Sequence, residues 1–365
     1  MSHRLRSRDN SLKRIYRMPR KTAGKRRTSK TSPINSQPTI PPEPLAVIKR
    51  LSAKIPVLLF VFPLSFIAIP FSSASAEPLK MNAAALIGYD NNTGLDAGRK
   101  EDLFAEEMVS LTYSRPLTDR LKMRLSSFLF NVNYFEATDN NVFIPMGNAG
   151  MDTLVIPGTV FQWDYRFKYI YFPNDETATA LEHEGRVGLK QRISERLQIR
   201  AGFGVLSEDF QERKIRQASG VLSADEERND LRLVVDSEAA FRVLENVLLK
   251  AGFIYYSNDS NDQFHDYYDY GHAKYYASLH WQWSSKISAY MKAAYENRDY
   301  DSRSLLDQPS VFENDDVYTG TAALYYQLRA NLVLGLSYHY RQKNSNEPSQ
   351  KYSGSITTLG LCYSF

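Results

Sequence analysis

Along most of the chain, apolar and polar side chains alternate with period two. From 161 to 171 one phase holds Phe161, Trp163, Tyr165, Phe167, Tyr169 and Tyr171, and the other holds Gln162, Asp164, Arg166 and Lys168. Ile287, Ala289, Met291 and Ala293 alternate with Lys286, Ser288, Tyr290 and Lys292, with Glu296 in the polar phase. Leu332, Leu334, Leu336, Tyr338 and Tyr340 oppose Gly335, Ser337, His339 and Arg341. The last stretch places Leu359, Leu361, Tyr363 and Phe365 against Thr358, Gly360, Cys362 and Ser364. Successive side chains of a strand point to opposite faces, so each segment predicts a strand with one apolar face. The final strand ends on the last residue and has no turn after it. Its free edge is satisfied if it pairs with the first strand, which closes a barrel.

Counting back from Phe365, the pattern predicts strands near 353–365, 331–343, 317–328, 286–298, 271–283, 247–258, 229–243, 197–210, 180–192, 159–171, 148–156, 121–134, 103–114 and 79–90. Pro145, Gly147, Gly150 and Pro157 break the pattern around 148–156, and up–down parity is what demands that strand. Without it the count is twelve, with a long loop in its place. The strands match the 9–11 residues that a spanning strand needs.

Two kinds of connection join them. Short ones lie at 115–120, 193–196, 244–246, 284–285 and 328–331. Long ones are polar and rich in Asn, Asp and Tyr, such as Asn258 to Gly271 and Asp299 to Asp316. Short periplasmic turns and long outer loops are the asymmetry of outer-membrane barrels, with both termini in the periplasm. The expected fold is therefore all-β: a transmembrane antiparallel up-and-down β-barrel of about fourteen strands.

A charge facing lipid costs about 2–4 kcal/mol at the bilayer midplane, so the apolar phase faces out and the charged phase lines the lumen. The expected lining cations are Lys122, Arg124, Arg166, Lys168, Arg186, Lys190, Arg200, Arg232, Lys250, Lys274, Lys292 and Arg341, with Arg192, Arg242 and Lys286 in the same phase. The expected acids are Glu106, Asp164, Glu182, Glu184, Asp230, Asp236, Glu238 and Glu296. This basic lean suits a path for anions, acidic glycans included. The same side chains could instead pair across strands and fill the barrel. Trp281 and Trp283, beside a turn, suit an interfacial girdle.

The front of the chain changes the charge picture. Residues 1–54 form a basic extension with no apolar period. Ile55 to Phe71 is apolar but interrupted by Pro56, Pro63 and Pro70, and Ser72-Ser73-Ala74-Ser75-Ala76 follows. A basic flank, an apolar centre and an exit with Ala74 and Ala76 predict a signal peptide over 55–76, cleaved after Ala76, and a barrel over 77–365. Residues 1–76 hold 15 of the 45 basic and 2 of the 41 acidic side chains, so the remainder carries a formal net charge of −9. The basic character belongs to the export segment, and no nucleic-acid partner is expected.

Little else suggests chemistry. Cys362 is the single cysteine, which excludes an intramolecular disulfide and a cysteine metal cluster. Asp259, Asp262, His265, Asp266, Asp269 and His272 share one polar loop, where a divalent cation or an Asp/His site is the sharp reading and solvated loop residues the bland one. Tyr267, Tyr268 and Tyr270 could stack on sugar rings. His183, His280 and His339 lie on strands, but no serine partner stands out. No nucleophile–base motif, metalloprotease helix or phosphate-binding glycine loop is present, so neither an enzyme nor a cofactor is expected.

Tyr300-Asp301, Asn314-Asp315-Asp316-Val317-Tyr318, Leu332 to Tyr340, Asn344-Ser345-Asn346, Tyr352 and Phe365, with Gly88-Tyr89-Asp90-Asn91-Asn92 near the start, form a further pattern. It resembles outer-membrane β-barrel proteins of the "β-barrel porin 2" type, often found with exopolysaccharide synthesis and export genes. The ending Leu359, Leu361, Tyr363 and Phe365 also resembles the signal with which such barrels close. The resemblance implies an outer-membrane barrel of a Gram-negative bacterium that moves or tethers a polysaccharide. Its partners would be outer-membrane lipids and lipopolysaccharide, the barrel assembly machinery and polysaccharide export components. A plugged structural or assembly barrel and a surface-lipoprotein translocator remain the alternatives, with a barrel enzyme a more distant one.

Overall fold

The computed structural model describes residues 79–95, 99–264, 266–305 and 307–365. The expectations for 1–78, including the cleavage residues Ala74 and Ala76, lie outside these, as does His265. The described residues form fourteen strands: β1 Leu79–Asp90, β2 Asp102–Pro116, β3 Leu121–Tyr134, β4 Val142–Ile156, β5 Thr159–Ile170, β6 Ala180–Arg192, β7 Leu197–Arg216, β8 Leu222–Leu244, β9 Val247–Ser260, β10 Tyr270–Gln282, β11 Ile287–Ser304, β12 Phe312–Arg329, β13 Leu332–Ser345 and β14 Tyr352–Ser364. Each strand pairs antiparallel with its sequence neighbours, and β1 pairs with β14, so the sheet closes. Closure runs from Asn82 opposite Ser364 to Asp90 opposite Ile356, and the Phe365 amide donates to the Met81 carbonyl at 2.9 Å.

The short connections have a shared cause. In 117–120 the Thr118 hydroxyl accepts from the amides of Arg120 (3.2 Å) and Leu121 (3.0 Å). Ser194 does the same for Arg196 and Leu197, and Ser284 for Lys286 and Ile287. One hydroxyl per turn replaces two lost ladder partners, so a Ser or Thr at this place closes a four-residue turn. Between β4 and β5, Gly158 has φ +82°, the left-handed backbone that a two-residue hairpin requires.

At the opposite end asparagines extend the ladder. The Asn346 amide donates to the Asn314 carbonyl at 3.1 Å, while the Asn346 side-chain oxygen accepts from the Asn314 amide at 2.8 Å. Asn261 brackets Asn229 in the same way, and Asn91 brackets Ser355. A carboxamide has the donor and acceptor of a peptide unit, so Asn adds one rung where the backbone turns away. Asn91, Asn314 and Asn346 belong to the pattern that carried the resemblance, and this bracket is their structural role.

The structure lengthens several strands. β4 starts at Val142 rather than 148 and runs through Pro145 and Gly147. Pro145 lies opposite Leu129 of β3, and the β4–β5 ladder is interrupted there, between the Phe143–Tyr171 bridge and the Met146–Lys168 pair. Phe143 and Tyr171 exchange both backbone bonds, so Pro145 also turns its nitrogen toward β5; its missing N–H costs that rung, while the β3 ladder continues past it. β7, β8, β11 and β12 extend beyond the alternating segments, through register shifts at 209–216 and 299–304. Apart from Ile215, Leu222, Tyr300 and Phe312 these extensions are polar or small on both faces, so period two does not reveal them. The expected long loops accordingly shrink to 261–269 and 305–311.

Apolar side chains cover the outer face: Phe161, Trp163, Tyr165 and Phe167 on β5, Leu231, Leu233 and Val235 on β8, and Leu359, Leu361 and Tyr363 on β14 are all exposed. Rings mark two levels of this band. Phe253, Tyr275, Tyr295 and Tyr318 touch in sequence across β9–β12, at centroid spacings of 4.9, 6.4 and 5.3 Å. At the turn end Trp281 and Trp283 stack at 5.2 Å. Aromatics at both edges of an apolar band are what a bilayer interface selects.

Candidate functional site: the charged lumen wall

The register places the expected cations on the face opposite the apolar band. A ladder of ion pairs runs along it from β3 to β13. Arg124 sits 2.9 Å from both Asp152 and Asp164. Arg166 pairs with Glu184, and Lys168 with Glu182 at 2.6 Å. Arg186 pairs with Asp236, which also meets Arg200 at 3.2 Å. Arg232 pairs with Glu208, Lys250 meets Glu238 at 3.5 Å, and Lys274 meets Glu296 at 2.7 Å.

Glycines make the longest of these contacts possible. Arg186 is on β6 and Asp236 on β8, with β7 between them. β7 presents Gly202 and Gly204 there: a Cβ on Gly204 would meet the Arg186 side chain, and one on Gly202 would meet the Asp236 carboxylate. The bare backbone lets an arginine cross a whole strand to its partner.

Seven expected cations have no carboxylate within ion-pair reach among the described residues: Lys122, Lys190, Lys292 and Arg341, and at the turn end Arg192, Arg242 and Lys286. Lys292 lies 5.1 Å from the Tyr276 ring centre, and Arg341 lies 5.5 Å from that of Tyr352. The Arg341 Nε is buried with no hydrogen bond. On the acidic side, Glu182, Glu184, Asp230, Asp236, Glu238 and Glu296 are all ion-paired. Glu106 forms no ion pair; it sits between Leu86 and Val132 in the register.

Several members of the wall escaped the sequence reading. Asp152, Glu208, Arg228, Arg298, Asp315 and Lys343 share the inward phase, and Lys343 lies 2.7 Å from Asp315. They add three carboxylates and three cations, so the basic excess is unchanged. Asp152 lies on the strand with the broken pattern, and Arg228 and Asp315 fall in polar extensions, so no alternation pointed to them.

The loop end is closed in by arginine–aromatic packing. The Arg228 guanidinium lies 3.6 Å from the Tyr268 ring centre and 4.7 Å from that of Phe210. Arg216 lies 4.2 Å from Tyr267, and Arg303 4.7 Å from the same ring. The sugar-stacking reading of Tyr267 and Tyr268 therefore gives way: their rings already pack against guanidinium groups. Tyr270 packs on Tyr300 at 5.4 Å, beside Arg298 at 4.6 Å.

The acidic residues of 258–272 do not converge. Asp262 accepts from the Arg216 amide at 2.9 Å, and Asp269 accepts from the Ser260 amide at 2.8 Å. His272 faces the lumen and stacks on Tyr256 at 4.4 Å. No group of His, Cys, Asp and Glu among the described residues could hold a metal ion. The strand histidines separate as well. His183 is on the outer face, 2.7 Å from the Tyr165 hydroxyl. His280 packs on Tyr290 at 4.6 Å, and His339 lies 2.9 Å from the Thr321 hydroxyl.

No protein-family model matches the chain, and no curated protein matches it in sequence. Among solved structures it is similar to OmpT of Vibrio cholerae, expressed in the outer membrane, at 8% identity over 80% of this chain and 99% of that one, with a TM-score of 0.49. An anion-selective porin from Comamonas acidovorans matches at 10% identity over 79% and 98%, with a TM-score of 0.45. A Pseudomonas aeruginosa FadL homologue matches at 9% identity over 78% and 89%, with a TM-score of 0.42. Identities and scores this low leave the question of function to the lumen itself.

Proposed function

We propose that this chain is an outer-membrane channel of porin type that passes a polar anion, with an acidic glycan or exopolysaccharide as its solute. The observation that carries the reading is the imbalance in the wall. Lys122, Lys190, Lys292 and Arg341 lack carboxylate partners, while the mid-wall carboxylates other than Glu106 are neutralised by ion pairs. A path lined by unpaired cations lowers the barrier for anions and raises it for cations. In the same reading, the segment ending at Ala74 and Ala76 directs export, the barrel assembly machinery reads Leu359, Leu361, Tyr363 and Phe365, and the outer face meets lipopolysaccharide.

The test is the reversal potential of single channels in planar bilayers under a KCl gradient. A potential favouring chloride is expected, and the double change Lys292→Gln with Arg341→Gln should lower the chloride-to-potassium permeability ratio by at least twofold. A cation-favouring potential would overturn the reading. The second reading is a plugged assembly barrel, supported by the ion-pair ladder and the arginine packing of Tyr267 and Tyr268. It predicts no conductance at any voltage.

A further inference from the structure

Alternation assigns the lumen its charges, but one part of the inward face is apolar. Leu86 on β1, Met108 on β2, Phe128 and Phe130 on β3, and Ile144 and Met146 on β4 share the inward phase and are half-buried. The register makes them one surface. Met108 lies opposite Phe130 and Phe130 opposite Ile144, while Phe128 lies opposite Met146. The rings of Phe128 and Phe130 are near-parallel, with centroids 6.2 Å apart and an interplanar angle of 15°. Apolar surface left toward water forgoes the gain of burial, so a contiguous patch of this kind marks a contact surface.

The rim of the patch is polar and holds no free cation. Glu106 precedes Met108 in the inward phase of β2, opposite Leu86 and Val132. It has neither an ion pair nor a hydrogen bond among the described residues, and its oxygens are not shut away from the lumen. On the other side of the rings, Ser110 lies opposite Phe128, and Asn148 donates to the Ser126 hydroxyl at 3.1 Å. No lysine or arginine occurs in 82–90, 102–114, 126–134 or 142–152. On the next strand Lys168 lies opposite Met146, but Glu182 holds it at 2.6 Å.

This combination selects its ligand. A hydrocarbon would cover the rings but strip water from Glu106 without giving it a donor. An anionic group would meet Glu106 and no cation. A pyranose ring suits both parts. Its C–H face lies on the negative face of a phenyl ring, and its hydroxyls donate to a carboxylate. Apolar surface with a few placed polar groups is the usual make-up of a small-molecule site. We propose that the inner wall of β1–β4 is a sugar subsite. An uncharged pyranose residue lies on Phe128 and Phe130, and Glu106 accepts from its hydroxyls, with Ser110 and Asn148 at the opposite rim. This rests on the channel reading and deepens it: the subsite holds uncharged rings of the glycan, and its acidic groups are left to cations on other strands.

The probes are cellotetraose, an uncharged glucan that the cations cannot hold, and a polyethylene glycol of the same mass. Each is added to KCl during single-channel recording of the wild-type barrel. Cellotetraose is expected to interrupt the current at concentrations at least about fivefold below those of the polyether. The pair Phe128→Leu and Phe130→Leu keeps the apolar bulk and removes the rings. It should abolish that difference while KCl conductance stays within about twofold. Folding is checked by the gel shift between unheated and heated protein, and Phe130→Leu alone carries the test where the pair does not fold. Equal interruption by both probes in the wild type overturns the inference and leaves the channel reading standing. A cellotetraose preference that survives in the folded variant overturns it too. No KCl current at all overturns the channel reading, and this inference with it.

Discussion

At the scale of single residues, the wall depends on a few carboxylates that each hold more than one cation. Asp236 is 3% exposed and pairs with Arg186 and Arg200 across Gly202 and Gly204. Replacing it by Asn keeps the shape and removes the charge. Two guanidinium groups then lose a charge-assisted bond, each such bond being worth about 1.5–3 kcal/mol, and lumen water recovers part of the loss. Asp236→Asn should lower the unfolding free energy by about 2 kcal/mol, read from urea unfolding in lipid vesicles. An unchanged midpoint would show that the pair is structurally idle. All three residues were legible as inward-facing from alternation alone. That Arg186 reaches Asp236 over a strand was not, because the partner depends on register and on Gly202 and Gly204 lying between the two on β7.

At the scale of elements, the turns were more legible than the loops. Thr118, Ser194 and Ser284 act within four residues, so local sequence carries their effect. The 261–269 loop is held by distant groups. The Asp269 carboxylate accepts from the Ser260 amide, and the Asp301 amide donates to the Asp269 carbonyl. Burial, with Asp259, Asp266 and Asp301 nearby, pushes the Asp269 carboxyl up to about 6. A carboxyl raised by folding binds its proton more tightly in the folded loop than in the opened one. The resulting stabilisation is complete below the ordinary value of 3.8 and is lost as pH rises through about 6. Amide exchange in 261–269, corrected for intrinsic rates, should show falling protection between pH 4 and pH 7. Asp269→Asn should flatten that dependence, and an identical slope in the variant would remove Asp269 as its cause. β4 shows the other limit of local reading. Pro145 and Gly147 look like strand breakers, yet they sit within the strand because the neighbouring ladder opens at the proline.

At the scale of the whole molecule, one phase decision propagates through all fourteen strands. Cys362, half-buried on β14 between Ala84 and Val333, reports it. A charged, water-soluble thiol reagent should modify Cys362 in the folded barrel faster than a lipid-soluble reagent of similar intrinsic reactivity. The reverse order would mean that the apolar phase faces the lumen and the charges face lipid. A one-residue slip of a strand exchanges every side chain between faces, so a single cysteine tests the assignment.

The period-two pattern determined the all-β class, thirteen of the fourteen strands and the phase each charge occupies, and up–down parity supplied the strand at 148–156. These follow from chain geometry and from the cost of placing charge in lipid, and both act locally. Only the tertiary structure decided which charges neutralise one another, which cations are left without a partner, and that the loop tyrosines pack on arginines. It also decided that an apolar patch lies on the inner wall of β1–β4. Those properties depend on which strands become neighbours and at what register. Leu86 and Gly360 lie far apart along the chain and face each other only because β14 closes against β1.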